Sequence, residues 1–368
     1  MIIFCHLLND NSGSPRILKQ SIERLKVDEV VRLYIGSQGR GVLESCGIEI
    51  YFYWYRRTAY KIGTLFTFFF SQVALFYRLI WDRTIPKDAV IYVNTLLPFG
   101  AAIYGKLTGR KVIYHVHEIS INPSPLKALL TTIARMTSSI NLYVSDAHMQ
   151  ALPIAGVRAR RIYNSLEESF VESASSVSYS PRYEGYFNVL LIASLRDYKG
   201  IPEFLKLARA ASNQDDIRFH LVVNDDQRTI DRYFVGEVLP SNLLVYPRTS
   251  DTKKFYRRSN LVLNLSRVDQ WVETFGLTVL EAMTFGIPVI IPPVGGPAEL
   301  VGDGIQGFLV NSYDQELLLE KVLLLYRDRA LCEWMSVACK ARARDFSPAV
   351  FAENIVAAIK QVRSSSNE

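Results

Sequence analysis

The chain has 368 residues, 49% of them apolar and 21% charged, which excludes a disordered or fibrous protein and leaves room for two domains. The formal charge is +6, and the excess sits in one half: residues 1–168 hold 20 Lys and Arg against 12 Asp and Glu, and the remainder is nearly balanced. Such a bias favours an anionic partner (a phosphate group, an anionic lipid surface or nucleic acid) over a neutral one, with ordinary surface variation as the bland account. Cys5, Cys46, Cys332 and Cys339 are scattered without C-x-x-C spacing, so free thiols in a reducing compartment are expected.

"MIIFCHLL" opens the chain as a buried strand. It has no basic leader and no cleavage site, so it does not read as a signal peptide, and a cytoplasmic protein is expected. "VVRLYIG" is the next candidate strand. Between Tyr51 and Trp81 there are 13 aromatic residues in 31 positions, with an uncharged run from Ile62 to Tyr77. At 16 residues this run is short for a span, which needs about 20. It reads first as a largely buried helix packed on the first sheet, and second as a surface-seeking amphipathic helix.

"AVIYVN", "KVIYHVH" and "INLYVS" complete the strands of the first half. "NVLLIAS", "RFHLVV", "LLVYP", "LVLNLS" and "PVIIPP" follow in the second. Amphipathic stretches such as "IPEFLKLARAAS" and "QELLLEKVLLLYRDRA" lie between them. Alternation of this kind predicts α/β architecture, with two parallel sheets each covered by helices. The Ser-rich, aperiodic stretch 167–185 marks the boundary. The expected domains are 1–168 and 169–348, with a closing helix at about 349–368 that starts after Ser347-Pro348.

One stretch carries chemistry. "VETFGLTVLEAMTFGIPVIIPPVGGPAEL" sets Glu273 and Glu281 eight positions apart among apolar and small residues. Leu277 to Phe285 reads as a helix, opened by Gly276 and ended by "GIP". The backbone N–H groups of Phe275, Gly276 and Leu277 then suit an anion. A carboxylate accepts two hydrogen bonds at once, which suits a ribose diol or sugar hydroxyls. Gly295 and Gly296 permit close backbone approach to a ligand. The bland account is a carboxylate near a helix cap plus an exposed helix Glu.

The stretch closely resembles the E-x7-E signature of the retaining nucleotide-sugar glycosyltransferases of GT-B fold, the group 1, family 4-like enzymes. "SGSPRIL", "KVIYHVHE", "RIYNSLEESF", "IASLRDYKG", "DGIQGFLV" and "DFSPAVFAENI" extend the resemblance over most of the chain. It implies two Rossmann-like doubly wound domains facing a central cleft, acceptor in the first and donor in the second, and a C-terminal helix that returns to the first. It implies catalytic roles for Glu273, near the donor sugar, and for His117. Donor binding falls to Glu281 on the ribose diol, to Lys199 on the diphosphate, to Phe275, Gly276 and Leu277, and to Gly13 and Ser14 from the first domain, with Arg16 a further source of charge there. The family's usual Arg stands as Ser194 here, with Arg196 close by as a substitute. "VVNDDQ" replaces a more usual Gly-containing turn.

The resemblance implies a hexosyl transfer from a UDP- or GDP-linked sugar to a hydroxyl of a glycan or lipid-linked acceptor, in synthesis of cell-surface polysaccharide or O-antigen (lipopolysaccharide). No D-x-D is present, so metal independence is expected, with no cofactor. A metal reading of His115, His117 and Glu118 stays open; His115, two residues before His117, is expected on the opposite strand face. The basic, aromatic first half suggests peripheral attachment to the inner face of a membrane. No nucleic-acid recognition motif is found. The competing classes are a GT-B nucleotide-sugar epimerase, which would form product without acceptor, and a non-catalytic partner of another transferase.

Overall fold

A computed structural model describes residues 1–37 and 39–364. The chain divides into two units, 1–164 with 348–368, and 165–347. Positions 365–368 of the expected closing helix lie outside the described residues.

The first unit is built on a parallel sheet of β1 (Ile2–His6), β2 (Val31–Gly36), β3 (Ile50–Tyr53), β4 (Val90–Asn94), β5 (Lys111–Val116), β6 (Ile140–Tyr143) and β7 (Ala159–Arg161). Their spatial order is β3-β2-β1-β4-β5-β6-β7. The second carries β8 (Phe187–Ala193), β9 (Ile217–Val223), β10 (Leu243–Tyr246), β11 (Leu261–Leu263), β12 (Val289–Ile291) and β13 (Gly307–Leu309), in the order β10-β9-β8-β11-β12-β13. Each central strand is a short apolar run because helices cover both faces and no alternate residue needs to meet water. β1 and β4 are buried at every position, and each sheet has its own hydrophobic core. The fold is GT-B, two Rossmann-like domains.

In each sheet the order reverses once, between β1 and β4 and between β8 and β11. Chains leaving neighbouring strands there diverge to opposite faces, which opens a crevice at the carboxyl ends. Most candidate residues come from the segments that follow these strands; His117 follows the next strand, β5, at the same edge.

The aromatic stretch departs from its first reading. Helix Lys61–Trp81 is not largely buried: Phe68, Ser71, Gln72, Leu75 and Leu79 face inward while Ile62, Phe66, Phe70 and Trp81 are exposed. It packs on helix Phe99–Leu107, where the Gly100 N–H donates to Gln72 Oε1 at 3.2 Å. The physical reason is geometric: one face of the helix packs on the core through Phe68, Leu75 and Leu79, with Phe69 and Phe76 at its margin, and a helix apolar on all sides leaves its remaining rings outward.

Candidate functional site

In the second unit, β8 and β11 are hydrogen-bonded neighbours, which brings their following loops together. After β8 the chain makes a tight turn, Asp197–Lys199, closed by Gly200 at φ +81°. The Lys199 ammonium donates to Glu273 Oε1 at 2.7 Å, and the Ser266 hydroxyl donates to the same oxygen at 2.8 Å. Lys199 and Glu273 are about one-sixth exposed, at 17% and 18%. Burial alone raises the pKa of Glu273. The Lys199 charge and the bonds from Lys199, Ser266 and Asn264 outweigh it and hold this carboxyl below its ordinary value. The ammonium also lies 4.9 Å from the centroid of Trp271, whose ring stacks on Tyr198.

The loop bearing Glu273 is held by the glycine pair. The Gly296 N–H donates to the Glu273 carbonyl at 2.9 Å, and a Cβ on Gly296 would lie 2.2 Å from the Thr274 oxygen. The close approach that Gly295 and Gly296 allow is thus to residues 272–275 of their own chain. Gly276, at φ +97°, turns the chain into helix Leu277–Thr284. Among the described residues none accepts from the N–H of Gly276 or Leu277. Phe275 is buried beneath that start. Glu281 is not an exposed helix residue: it is 7% exposed, and the Tyr256 hydroxyl donates to its Oε2 at 2.5 Å. A carboxylate in such a place has to be hydrogen-bonded to be tolerated.

Ser194 is half-buried and Arg196 exposed, with the guanidinium donating to the Leu195 carbonyl at 2.8 Å. The acids of "VVNDDQ" have structural partners. Asp225 accepts the Leu195 N–H at 3.2 Å, and Asp226 caps helix Gln227–Tyr233 through the Thr229 N–H.

In the first unit, β1 and β4 flank the other reversal. Gly13 and Ser14 open helix Gly13–Leu25 after β1, and His117 follows β5. Asn94, the last residue of β4, joins them: its amide nitrogen donates to the Ser14 carbonyl at 3.2 Å, and its Oδ1 lies 3.1 Å from His117 Nε2. A backbone carbonyl only accepts, so the amide orientation is set and His117 must carry its proton on Nε2. Burial holds the His117 pKa well below 6.5, helped by His115, His148 and His6, so the ring is neutral. Arg16 is exposed.

His115 is not on the opposite face from His117. Their ring centroids are 4.3 Å apart, because residues two apart on a strand share a face. The His115 Nδ1 lies 2.8 Å from the Tyr92 hydroxyl. The Glu118 carboxylate accepts the N–H groups of Leu96 and His117. Tyr92, Asn94 and the backbone N–H groups thus occupy polar atoms of these neighbours, and among the described residues no cluster of His, Cys, Asp or Glu is arranged to hold a metal.

The structure therefore joins Lys199 to Glu273 and stations Phe275, Gly276, Leu277 and Glu281 on the same loop and helix; Ser14 and His117 meet through Asn94. Sequence reasoning missed Ser266, Tyr256, Trp271 and Asn94. Asn94 ends the "AVIYVN" run, and a polar terminus on an apolar strand is the signal that could have found it. Tyr256 lies in the charged "KKFYRRS", which offers none.

Residues 178–343 match the family model described as "Glycosyl transferases group 1". The trehalose synthase of Pyrococcus horikoshii is 32% identical over 170 residues, 46% of this chain and 39% of that protein. The sucrose-phosphate synthase of Spinacia oleracea is 27% identical over 150 residues, 38% of this chain and 14% of the other. The matches thus span well under half the length of these curated relatives. Among solved structures, Anabaena HepE in complex with UDP superposes with TM-score 0.78 at 19% identity, over 98% of this chain and 100% of that one. WaaG, "a glycosyltransferase involved in lipopolysaccharide biosynthesis", gives 0.71 at 14%, over 96% and 99%. At such identities these two likenesses carry the fold.

Proposed function

We propose that this chain moves a hexosyl unit from a UDP- or GDP-linked sugar to a hydroxyl of a glycan or lipid-linked acceptor, a reading supported by the match of residues 178–343 to the group 1 glycosyl transferase model. The reading assigns it to cell-surface polysaccharide or O-antigen synthesis at the cytoplasmic face of a membrane. The observation that carries it is the Lys199–Glu273 pair at the sheet reversal, beside a helix start whose N–H groups suit phosphate. HepE, similar in fold, has been solved with UDP and with UDP-glucose.

In this reading the diphosphate meets Lys199, Arg196 and the N–H groups of Gly276 and Leu277, with Phe275 supporting that helix start. Glu281 takes the ribose diol, and Glu273 the hydroxyls of the sugar. Gly13, Ser14 and His117 serve the donor sugar and acceptor from the first unit. The bond from the anomeric carbon to the diphosphate oxygen breaks, and the acceptor oxygen bonds to that carbon on the same face, with retention. The hydroxyl proton passes to the leaving phosphate oxygen. The protein supplies position and charge rather than a metal.

The test is thermal shift against a panel of nucleoside-diphosphate sugars, followed by turnover with and without acceptor and with EDTA. Stabilisation by one donor class, with acceptor-dependent transfer that survives chelation, is the expected outcome. Product formed without acceptor would instead identify an epimerase.

A further inference from the structure

Helix Lys61–Trp81 has a face that the protein does not use. Ile62, Phe66, Phe70, Val73, Tyr77 and Trp81 follow one another at spacings of three or four residues, so they form one stripe along the helix. Their exposures run from 47% for Tyr77 to 74% for Trp81. Trp54 and Tyr60, in the segment that leads into the helix, are exposed as well. Isolated exposed apolar residues need no explanation, but a contiguous aromatic stripe marks a surface that is covered in use.

Charge identifies what covers it. Residues 50–81 contain no Asp or Glu. Arg56, Arg57 and Lys61 are exposed at the start of the helix, and Arg78 is exposed near its end. A second copy of the chain, paired antiparallel along this stripe, would set Arg78 against the basic cluster at the other end and repel. A surface of anionic headgroups over hydrocarbon matches both features, since cations sit among the headgroups and Trp, Tyr and Phe enter the interface beneath them.

The helix does not satisfy the requirements of a span, although its length and composition pass the simple test for one. Its inner face carries Ser71 and Gln72, both buried, with the Gln72 side chain bonded to the Gly100 N–H. A Cβ on Gly100 would lie 2.2 Å from the Gln72 carbonyl oxygen, so the two helices are in backbone contact. Crossing a bilayer would strip this face from the protein. Lying flat keeps it in place and buries only the outer stripe.

We propose that the outward face of helix Lys61–Trp81, with Arg56, Arg57 and Lys61, is a docking surface for an anionic lipid bilayer. The loop into this helix leaves β3 at the carboxyl edge of the first sheet, the same edge from which the chain leaves β1 toward Ser14 and β5 toward His117. Docking thus sets that edge beside the headgroup layer, where a lipid-linked acceptor is presented. This consequence for the acceptor rests on the transferase reading; lipid binding itself does not.

Co-sedimentation of the full chain with phosphatidylcholine vesicles and with mixed phosphatidylcholine–phosphatidylglycerol vesicles, at low and high salt, tests it without need of a donor. Binding is expected on the mixed vesicles, weakened by salt. Arg56→Gln, Arg57→Gln and Lys61→Gln together should lower it by on the order of 100-fold at low salt. Phe66→Ser with Phe70→Ser should abolish it, with melting temperature and UDP-induced thermal shift retained, because both positions face solvent. Equal binding to the two lipid types, or stripe variants that bind like the parent, would overturn the proposal. So would vesicle-independent dimerisation that the Phe66→Ser/Phe70→Ser variant removes, which would assign the stripe to a second copy.

Discussion

Lys199 and Glu273, 74 residues apart in sequence, neutralise one another at 2.7 Å. Replacing Glu273 with Gln keeps the shape but leaves the Lys199 ammonium without its counter-charge. The proposed role then gives a split result: turnover falls at least about tenfold, while affinity for UDP holds or tightens, because an anion meets more positive charge. Initial rates together with titration calorimetry of UDP check this, and a fall in UDP affinity as large as the fall in turnover would contradict it. Asn94 invites a parallel experiment. Its side chain selects the Nε2 tautomer of His117 and ties that ring to Ser14. Asn94→Ala should cost roughly tenfold in kcat, the worth of one orienting hydrogen bond, with donor KM little changed. A variant that changes only the melting temperature would leave Asn94 a purely structural residue.

At the scale of elements, the segment around residues 272–297 works as one piece. The Gly296 loop braces the Glu273 loop backbone to backbone, with a prospective Cβ 2.4 Å from Phe275 Cα. Gly296→Ala has no flexible side chain to push aside, so it should cost about 1–3 kcal/mol of stability and displace Glu273. Calorimetry and activity should fall together; unchanged activity at full stability would show that the loops separate without consequence. Much of this architecture is legible in the sequence, because strands buried on both faces are written as apolar runs. Three strands lack that mark among the strand candidates. β3 and β7 are half-exposed edge strands, and β13 is a three-residue strand opened by Gly307. The two glutamates and the lysine are likewise legible from motif and spacing. Their pairing is not, since it depends on β8 lying against β11, a non-local choice no local pattern encodes. The aromatic helix was misjudged because composition reports how apolar a segment is but not which side faces water.

Across the whole molecule, all five histidines are held below their ordinary value of 6.5 chiefly by burial. His6, His148 and His220 sit at about 4, His115 at about 3, and His117 is well below its usual range. Their folded-state values lie below the unfolded ones, so as pH falls the unfolded chain takes up protons first. The histidines' contribution to stability is therefore fully present above about pH 6.5 and drains as pH falls from there through their folded values, each histidine contributing up to ~1.4 kcal/mol per pH unit. The carboxyls held below their usual range, such as Glu29, Asp82 and Glu273, add losses only at lower pH. Calorimetric scans from about pH 7 to about pH 5 should show a steady fall in melting temperature, and a flat profile there would contradict buried neutral histidines. A different consequence follows from the way the first unit is closed. Arg363 donates to Glu29 across 334 residues, and helix Pro348–Ser364 buries Phe351, Ile355, Ile359 and Val362. During synthesis the second unit, continuous from 165 to 347, leaves the ribosome whole and can fold at once. The first unit, begun earlier, stays unfinished until residues 348–364 emerge, so the half made first is the half completed last.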